Sequence, residues 1–240
     1  MRIFKFGGAS IKNAKGVRNL VKALRHEGAG KTLVVISAMG KMTNAFEGLL
    51  DAYYNTPHTV KEKQDAIANF HLEIANKLFE KNHAIFNEIN LLMHELSEFM
   101  TRNTSRNYSF LYDQIVGYGE LLSTKITAAY LQESGIENNW LDVRTIIQTD
   151  SNYRNATVDW KTTQTNCLLK IDSTILNITQ GFLSADNLGN TTTLGREGSD
   201  FTAGILAYCL DAKSVTIWKD VEGVLFQAEG GIRDKLVTGV

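Results

Sequence analysis

The residues best suited to chemistry open the chain: Lys5-Phe6-Gly7-Gly8-Ala9-Ser10, directly after the apolar run Arg2-Ile3-Phe4. β-favouring residues dominate Arg2–Phe6, so a strand is expected to end at the two glycines. Paired glycines let a backbone approach a ligand closely, and the residues after them can open a helix whose N–H groups face an anion. Lys5 adds a mobile point charge for phosphate oxygens. Far along the chain, Gly195-Arg196-Glu197-Gly198-Ser199-Asp200 offers a guanidinium fork between glycines, suited to a carboxylate. Glu120, at the opening of a helix in Gly117-Tyr118-Gly119-Glu120-Leu121, offers an anion for an ammonium group. One cationic and one anionic anchor together describe an α-amino acid.

Positioning these groups requires a scaffold, and its elements are legible as alternating patterns. Strands are expected at Ile3–Phe6, Leu33–Ser37, Asn139–Val143, Ile175–Thr179 and Val215–Trp218. Helices are expected over Ala14–His26, Glu120–Glu133 and Asp200–Leu210, with Ser199 as an N-cap. The long stretch Val60–Met100 carries the stripe of two amphipathic helices, broken near Lys81-Asn82-His83. A hairpin is expected from Gly181-Phe182-Leu183 through Asp186–Asn190 to Thr191–Leu194, delivering Gly195-Arg196. Strands alternating with helices argue for an α/β sheet, mostly parallel, with helices on both faces. Ligands on such sheets bind beyond the carboxyl ends of the strands, where Lys5, Ser37 and Asp220 fall.

Lys5–Ser10, Ser37-Ala38-Met39-Gly40-Lys41-Met42-Thr43-Asn44, Gly117–Leu121 and Gly195–Asp200 follow one another in an order and spacing that closely resemble the catalytic domain of the aspartate kinases, within the amino-acid kinase family. The resemblance runs from Met1 to about Val224. It implies a three-layer α/β sandwich with a mainly parallel central sheet, the carbamate kinase-like fold. It divides the chain into a substrate lobe over about 1–175 and an incomplete nucleotide lobe over about 176–240, with no ACT regulatory domains. The implied activity is transfer of the ATP γ-phosphoryl group to the side-chain carboxylate of L-aspartate, in lysine, threonine and methionine biosynthesis. Alternatives are another amino-acid kinase of the glutamate kinase type, or a non-catalytic fragment that binds only a ligand or a partner subunit.

Phosphoryl transfer to a carboxylate joins two anionic reactants, so positive charge and donors must face the phosphates. Lys5 is expected to stabilise the moving γ-phosphoryl group, with Gly7 and Gly8 giving N–H donors to ATP. The resemblance carries Glu120 and Arg196 over as the grip on the amino acid and puts Asp200 in the active site with the catalytic lysine. Ser37 closes the second strand, where its hydroxyl can donate to the acceptor carboxylate. Thr43 and Asn44 continue that loop, and the match implies that Thr43 lines the substrate pocket. Trp218-Lys219-Asp220-Val221-Glu222-Gly223-Val224 resembles the nucleotide side, with Lys219 and Asp220 near ATP. Mg²⁺ would be held by the ATP phosphates and water, without a protein metal site.

Three departures from the family pattern stand out. Ala9 takes the place of a threonine, and Glu197 that of a glycine. The third is the end of the chain, where an Asp-Pro element is expected after Val224 and the sequence instead runs from Leu225 to Val240 with no proline beyond Pro57. The expectation is a domain truncated at its C-terminal end.

Composition narrows the remaining classes. With 240 residues, 43% of them hydrophobic, the chain can bury a sizeable core. A net charge of −1 gives no electrostatic case for nucleic acid or an acidic membrane surface. No apolar run reaches the length of a membrane span, the chain opens on a strand and not a signal peptide, and the location expected is cytoplasmic. Cys167 and Cys209 sit in apolar contexts, as buried reduced thiols do. The expected partners are L-aspartate and ATP, and a homodimer is left open. Gly30-Lys31-Thr32 imitates the end of a Walker A loop, but Arg25 stands where its first glycine belongs and the run precedes a strand.

Overall fold

The computed structural model describes residues 1–195 and 197–218 with their side chains, and residues 224–227 as backbone. The strands in chain order are β1 (Arg2–Phe6), β2 (Thr32–Ile36), β3 (Asn138–Leu141), β4 (Leu176–Gln180), β5 (Leu183–Ala185), β6 (Thr191–Thr193), β7 (Ser214–Trp218) and β8 (Val224–Gln227). The helices are α1 (Ala14–Glu27), α2 (Met42–Asn55), α3 (Val60–Asn76), α4 (Ile85–Arg102), α5 (Tyr108–Val116), α6 (Tyr118–Glu133), α7 (Trp160–Lys170) and α8 (Gly198–Cys209). Among the described residues, six strands form one sheet in the order β3-β4-β2-β1-β7-β8. Every neighbouring pair is parallel except β7 and β8.

Alternation along the central strands builds two cores. Phe4, Phe6, Val34 and Ile36 face the layer that contains α1 to α6, while Ile3, Leu33 and Val35 face the layer containing α8. All five residues of β2 are buried, as a strand covered on both faces requires. This is the expected three-layer α/β sandwich. Lys5 shares the face of Ile3, so β1 directs it toward α8.

The break expected near Lys81–His83 separates α3 from α4, and β5 pairs with β6 in the expected hairpin. Asp186 fastens the turn: its carboxylate accepts from the Leu188 and Asn190 amides at 3.0 and 2.9 Å. It also accepts from Ser151 Oγ at 2.9 Å and the Tyr153 hydroxyl at 3.2 Å, which ties the 150–158 loop to the hairpin.

Several elements differ from the sequence expectation. Thr43 and Asn44 lie in the first turn of α2, not in a loop, because Phe46, Leu49 and Leu50 give that segment a buried helical stripe. Helix α7 buries only Thr163 and Cys167, so its polar, threonine-rich sequence carries little periodic signal. Ser199 is inside α8, and the residue before the helix is Glu197, in the left-handed region at φ 57°. A tight turn at Gly195 (φ 77°) and Glu197 starts the helix before Ser199 can cap it. That conformation accounts for the glycine that the family pattern carries at position 197.

His71 on α3 predicts how acid acts on the fold. It is fully buried, Nδ1 lies 2.8 Å from the Ile67 carbonyl oxygen, and Nε2 has no partner. Burial pushes its pKa down from 6.5 to about 4. Because the folded chain resists protonation there, the associated stability is intact above pH 6.5 and is lost as pH falls toward 4. Thermal melts of the parent protein and of His71→Leu should therefore diverge as pH falls from 6.5 to 4, the variant losing about 2–3 kcal/mol less. Parallel pH profiles for the two proteins would refute this role.

Candidate active site

The loops after β1 and β2 cross at the carboxyl edge of the sheet. Gly8 accepts from the Gly40 amide at 2.9 Å, and Phe6 accepts from the Ser37 amide at 3.2 Å. A Cβ on Gly8 would stand 2.4 Å from the Ala38 carbonyl oxygen, so only glycine lets the two loops cross here. The Gly7 amide donates to the Trp218 carbonyl at 3.2 Å, and Ser10 Oγ donates to the same oxygen at 3.1 Å. The Gly7 amide is thus used in closing the loop onto β7. Among the described residues the Gly8 and Ala9 amides have no protein acceptor, and these face the site.

A cavity of about 730 Å³ opens above this crossing. Lys5 and Asp200 are among the residues that line it. Lys5 Nζ lies 2.7 Å from Asp200 Oδ1, at an oblique angle that makes the contact an ion pair more than a directed hydrogen bond. The lysine is 8% exposed, so its charge reaches solvent only through the cavity. Asp200 is in the first turn of α8, and the positive end of that helix dipole adds to the local field. Close packing holds the helix start down: a Cβ on Gly181 would meet Ser199 Oγ at 2.5 Å, and one on Gly198 would meet Phe182 Cδ2 at 2.5 Å.

Glu120 enters the same cavity from the first turn of α6. It is 3% exposed, Oε1 accepts from the Ala38 amide at 3.2 Å, and Oε2 is buried without a partner. Burial drives its pKa up from 4.5 to about 8. Glycines make this approach feasible, since a Cβ on Gly119 would lie 3.0 Å from Ala38 Cβ and one on Gly117 would lie 2.8 Å from Leu183 Cδ2. A carboxylate so placed is an incomplete ion pair that a cationic ligand group can complete. Ser37 and Thr43 line the same cavity.

Lys5, Gly8, Ser37, Thr43, Glu120 and Asp200 therefore converge on one cavity, and Gly7 lies at its floor. Arg196, Lys219 and Asp220 lie outside the described residues. Sequence reasoning missed Tyr112 and Arg154, which also line the cavity, and Asp113 behind them. Asp113 is fully buried; it accepts from the Arg154 amide at 2.9 Å, the Thr193 amide at 3.0 Å and Thr193 Oγ1 at 2.7 Å. Burial raises its pKa to about 6 against the pull of those three bonds. The only sequence signal was an acidic residue at a position of α5 that should be apolar.

Fold and cavity together point to one class. The chain belongs to the amino acid kinase family, whose family model matches residues 1–236. It is similar to the lysine-sensitive aspartokinase 3 of Escherichia coli, with 33% identity over 225 residues covering 92% of this chain and 49% of the relative. The aspartokinase of Chlamydia trachomatis is 30% identical over 224 residues, again covering 92% of this chain and 49% of the relative. Among solved structures, E. coli aspartokinase III in complex with aspartate and ADP superposes with a TM-score of 0.84 at 33% identity, covering 93% of this chain and 50% of that one. The chain thus spans about half the length of these relatives. No helix among the described residues is long and apolar enough to cross a membrane.

Proposed function

We propose that this chain is the catalytic domain of an aspartate kinase, transferring the γ-phosphoryl group of ATP to the side-chain carboxylate of L-aspartate to give 4-phospho-L-aspartate and ADP. The observation that carries the reading is the cavity itself. A Lys5–Asp200 ion pair and a buried Glu120 oxygen without a partner line the same cavity. The E. coli relative solved with aspartate and ADP supports the same pair of ligands. The division into a substrate lobe and a nucleotide lobe belongs to this reading.

In this reading a side-chain carboxylate oxygen of aspartate attacks the γ-phosphorus. A new P–O bond forms as the bond to the β-phosphate oxygen breaks, and ADP leaves with that electron pair. Lys5 offsets negative charge on the equatorial oxygens, aided by the Gly8 amide and the α8 dipole. Asp200, 2.7 Å from Nζ, keeps the lysine aimed. Glu120 takes the substrate ammonium, and Arg196 takes the carboxylate that does not react. Among the described residues no three His, Cys, Asp or Glu side chains converge as a metal cage. The residues fit a Mg²⁺ carried by the nucleotide phosphates and water, where it supplies charge neutralisation.

An ADP-release assay with Mg-ATP tests the proposal, comparing L-aspartate with L-glutamate. Turnover with aspartate and little with glutamate is expected. Preference for glutamate, or aspartate binding without turnover, would overturn it. Arg196→Ala should raise KM for aspartate about 10- to 100-fold with a smaller change in kcat. An unchanged KM would remove Arg196 from the substrate site.

A further inference from the structure

Arg154 lines the active-site cavity, yet neither the family motifs nor the reading above uses it. Three observations set it apart from an ordinary surface arginine. Its backbone sits in the left-handed region at φ 70°, a conformation that non-glycine residues adopt at a cost. That conformation is held by Asp113, a buried carboxylate that binds the Arg154 amide and Thr193 together. The guanidinium is also pre-aimed: its Cζ lies 4.5 Å from the Tyr112 ring centroid and 5.8 Å from that of Tyr108. Tyr112 is itself anchored by a 2.8 Å bond from its hydroxyl to Glu47.

Among the described residues this guanidinium meets no carboxylate at ion-pair distance and donates no hydrogen bond to protein. The other described cation of the cavity, Lys5, is already paired with Asp200. A planar fork set over a tyrosine ring, solvent-exposed and without a protein acceptor, can receive a carboxylate. Its location selects which one. The Arg154 carbonyl oxygen would lie 3.4 Å from a Cβ on Gly195, the residue before Arg196. Asp113 belongs to α5, one short step along the chain from the α6 start that carries Glu120. Arg154 thus borders the Gly195 turn that leads into Arg196, the residue assigned to the substrate carboxylate, and lines the same cavity as Glu120.

We infer that Arg154 joins Arg196 in binding the non-reacting carboxylate of the amino-acid substrate and so helps select a substrate with a second carboxylate. This assignment rests on the aspartate kinase reading. Asp113 acts through it as a positioning residue.

Arg154→Gly tests the idea without threatening the fold, because glycine is at ease at φ 70°. Calorimetry on the whole chain should give an aspartate Kd raised roughly 10- to 100-fold, with ADP binding unchanged and Tm equal to or above that of the parent. β-Alanine, which is aspartate without the non-reacting carboxylate, should bind parent and variant alike. An unchanged aspartate Kd would overturn the inference, and so would an equal loss for aspartate and β-alanine. If the parent protein bound glutamate and not aspartate, the aspartate kinase reading would fail, while a selective loss of glutamate affinity in Arg154→Gly would still support the arginine as a carboxylate receptor.

Discussion

Lys5→Ala is expected to lower kcat by about 10³-fold or more while the protein folds and still binds aspartate. Lys5 projects from the end of β1 into the cavity, and among the described residues its one side-chain partner is Asp200. The charge matters most when negative charge spreads over the transferring phosphoryl oxygens, so its loss should fall on kcat and leave the aspartate KM nearly unchanged. Stability should change little. The Asp200 side chain is 29% exposed and can take water in place of the ammonium, and β1 keeps its ladders to β2 and β7. Single-turnover measurement of 4-phospho-L-aspartate, with aspartate binding by calorimetry as a control, separates the two effects. A kcat like that of the parent protein would remove Lys5 from the chemistry.

Glu120→Gln should produce the second large effect, with opposite signs on binding and stability. Aspartate affinity should fall about 100-fold or more, because glutamine offers the ammonium a dipole in place of a charge. In the empty site burial raises the Glu120 pKa from 4.5 to about 8, so near neutral pH the carboxyl is mostly protonated. The stability tied to this group is complete below pH 4.5 and is lost as pH rises through about 8. Glutamine does not ionise and escapes that loss. At pH 9 the variant should be more stable than the parent by roughly 2–3 kcal/mol. The same pKa implies that aspartate binding at pH 7 expels most of one proton, since the arriving ammonium favours the ionised carboxylate. Calorimetry in buffers of different ionisation enthalpy measures that proton directly. No proton release, or a variant less stable than the parent at pH 9, would sink this account of Glu120.

The burial of Glu120 beside the loop crossing also shows where reading residues along the chain reaches its limit. A glutamate in the first turn of a helix looks like a favourable partner for the helix dipole, whatever surrounds it. Its burial involves Ala38, which follows β2 more than eighty residues earlier in the chain and reaches it because Gly119 leaves room. Gly7 carries the same lesson in reverse. A glycine beside a lysine reads as a phosphate donor, but β7 lies beside β1 and its Trp218 carbonyl claims the amide.

The sequence by itself determined the strand that ends at Lys5, the alternation that gives the sheet two buried faces, the split between α3 and α4, and the order of motifs that marks the family. Each of these reports a local preference: side-chain period, a turn that needs glycine, a helix stripe. Only the assembled tertiary structure sets the strand order β3-β4-β2-β1-β7-β8, the upward pKa shift of Glu120 and the way Asp113 ties Arg154 and Thr193 together behind the cavity lining. Those depend on which distant segments pack together and how much water they exclude, and desolvation is a property of the assembled neighbourhood that no single residue carries.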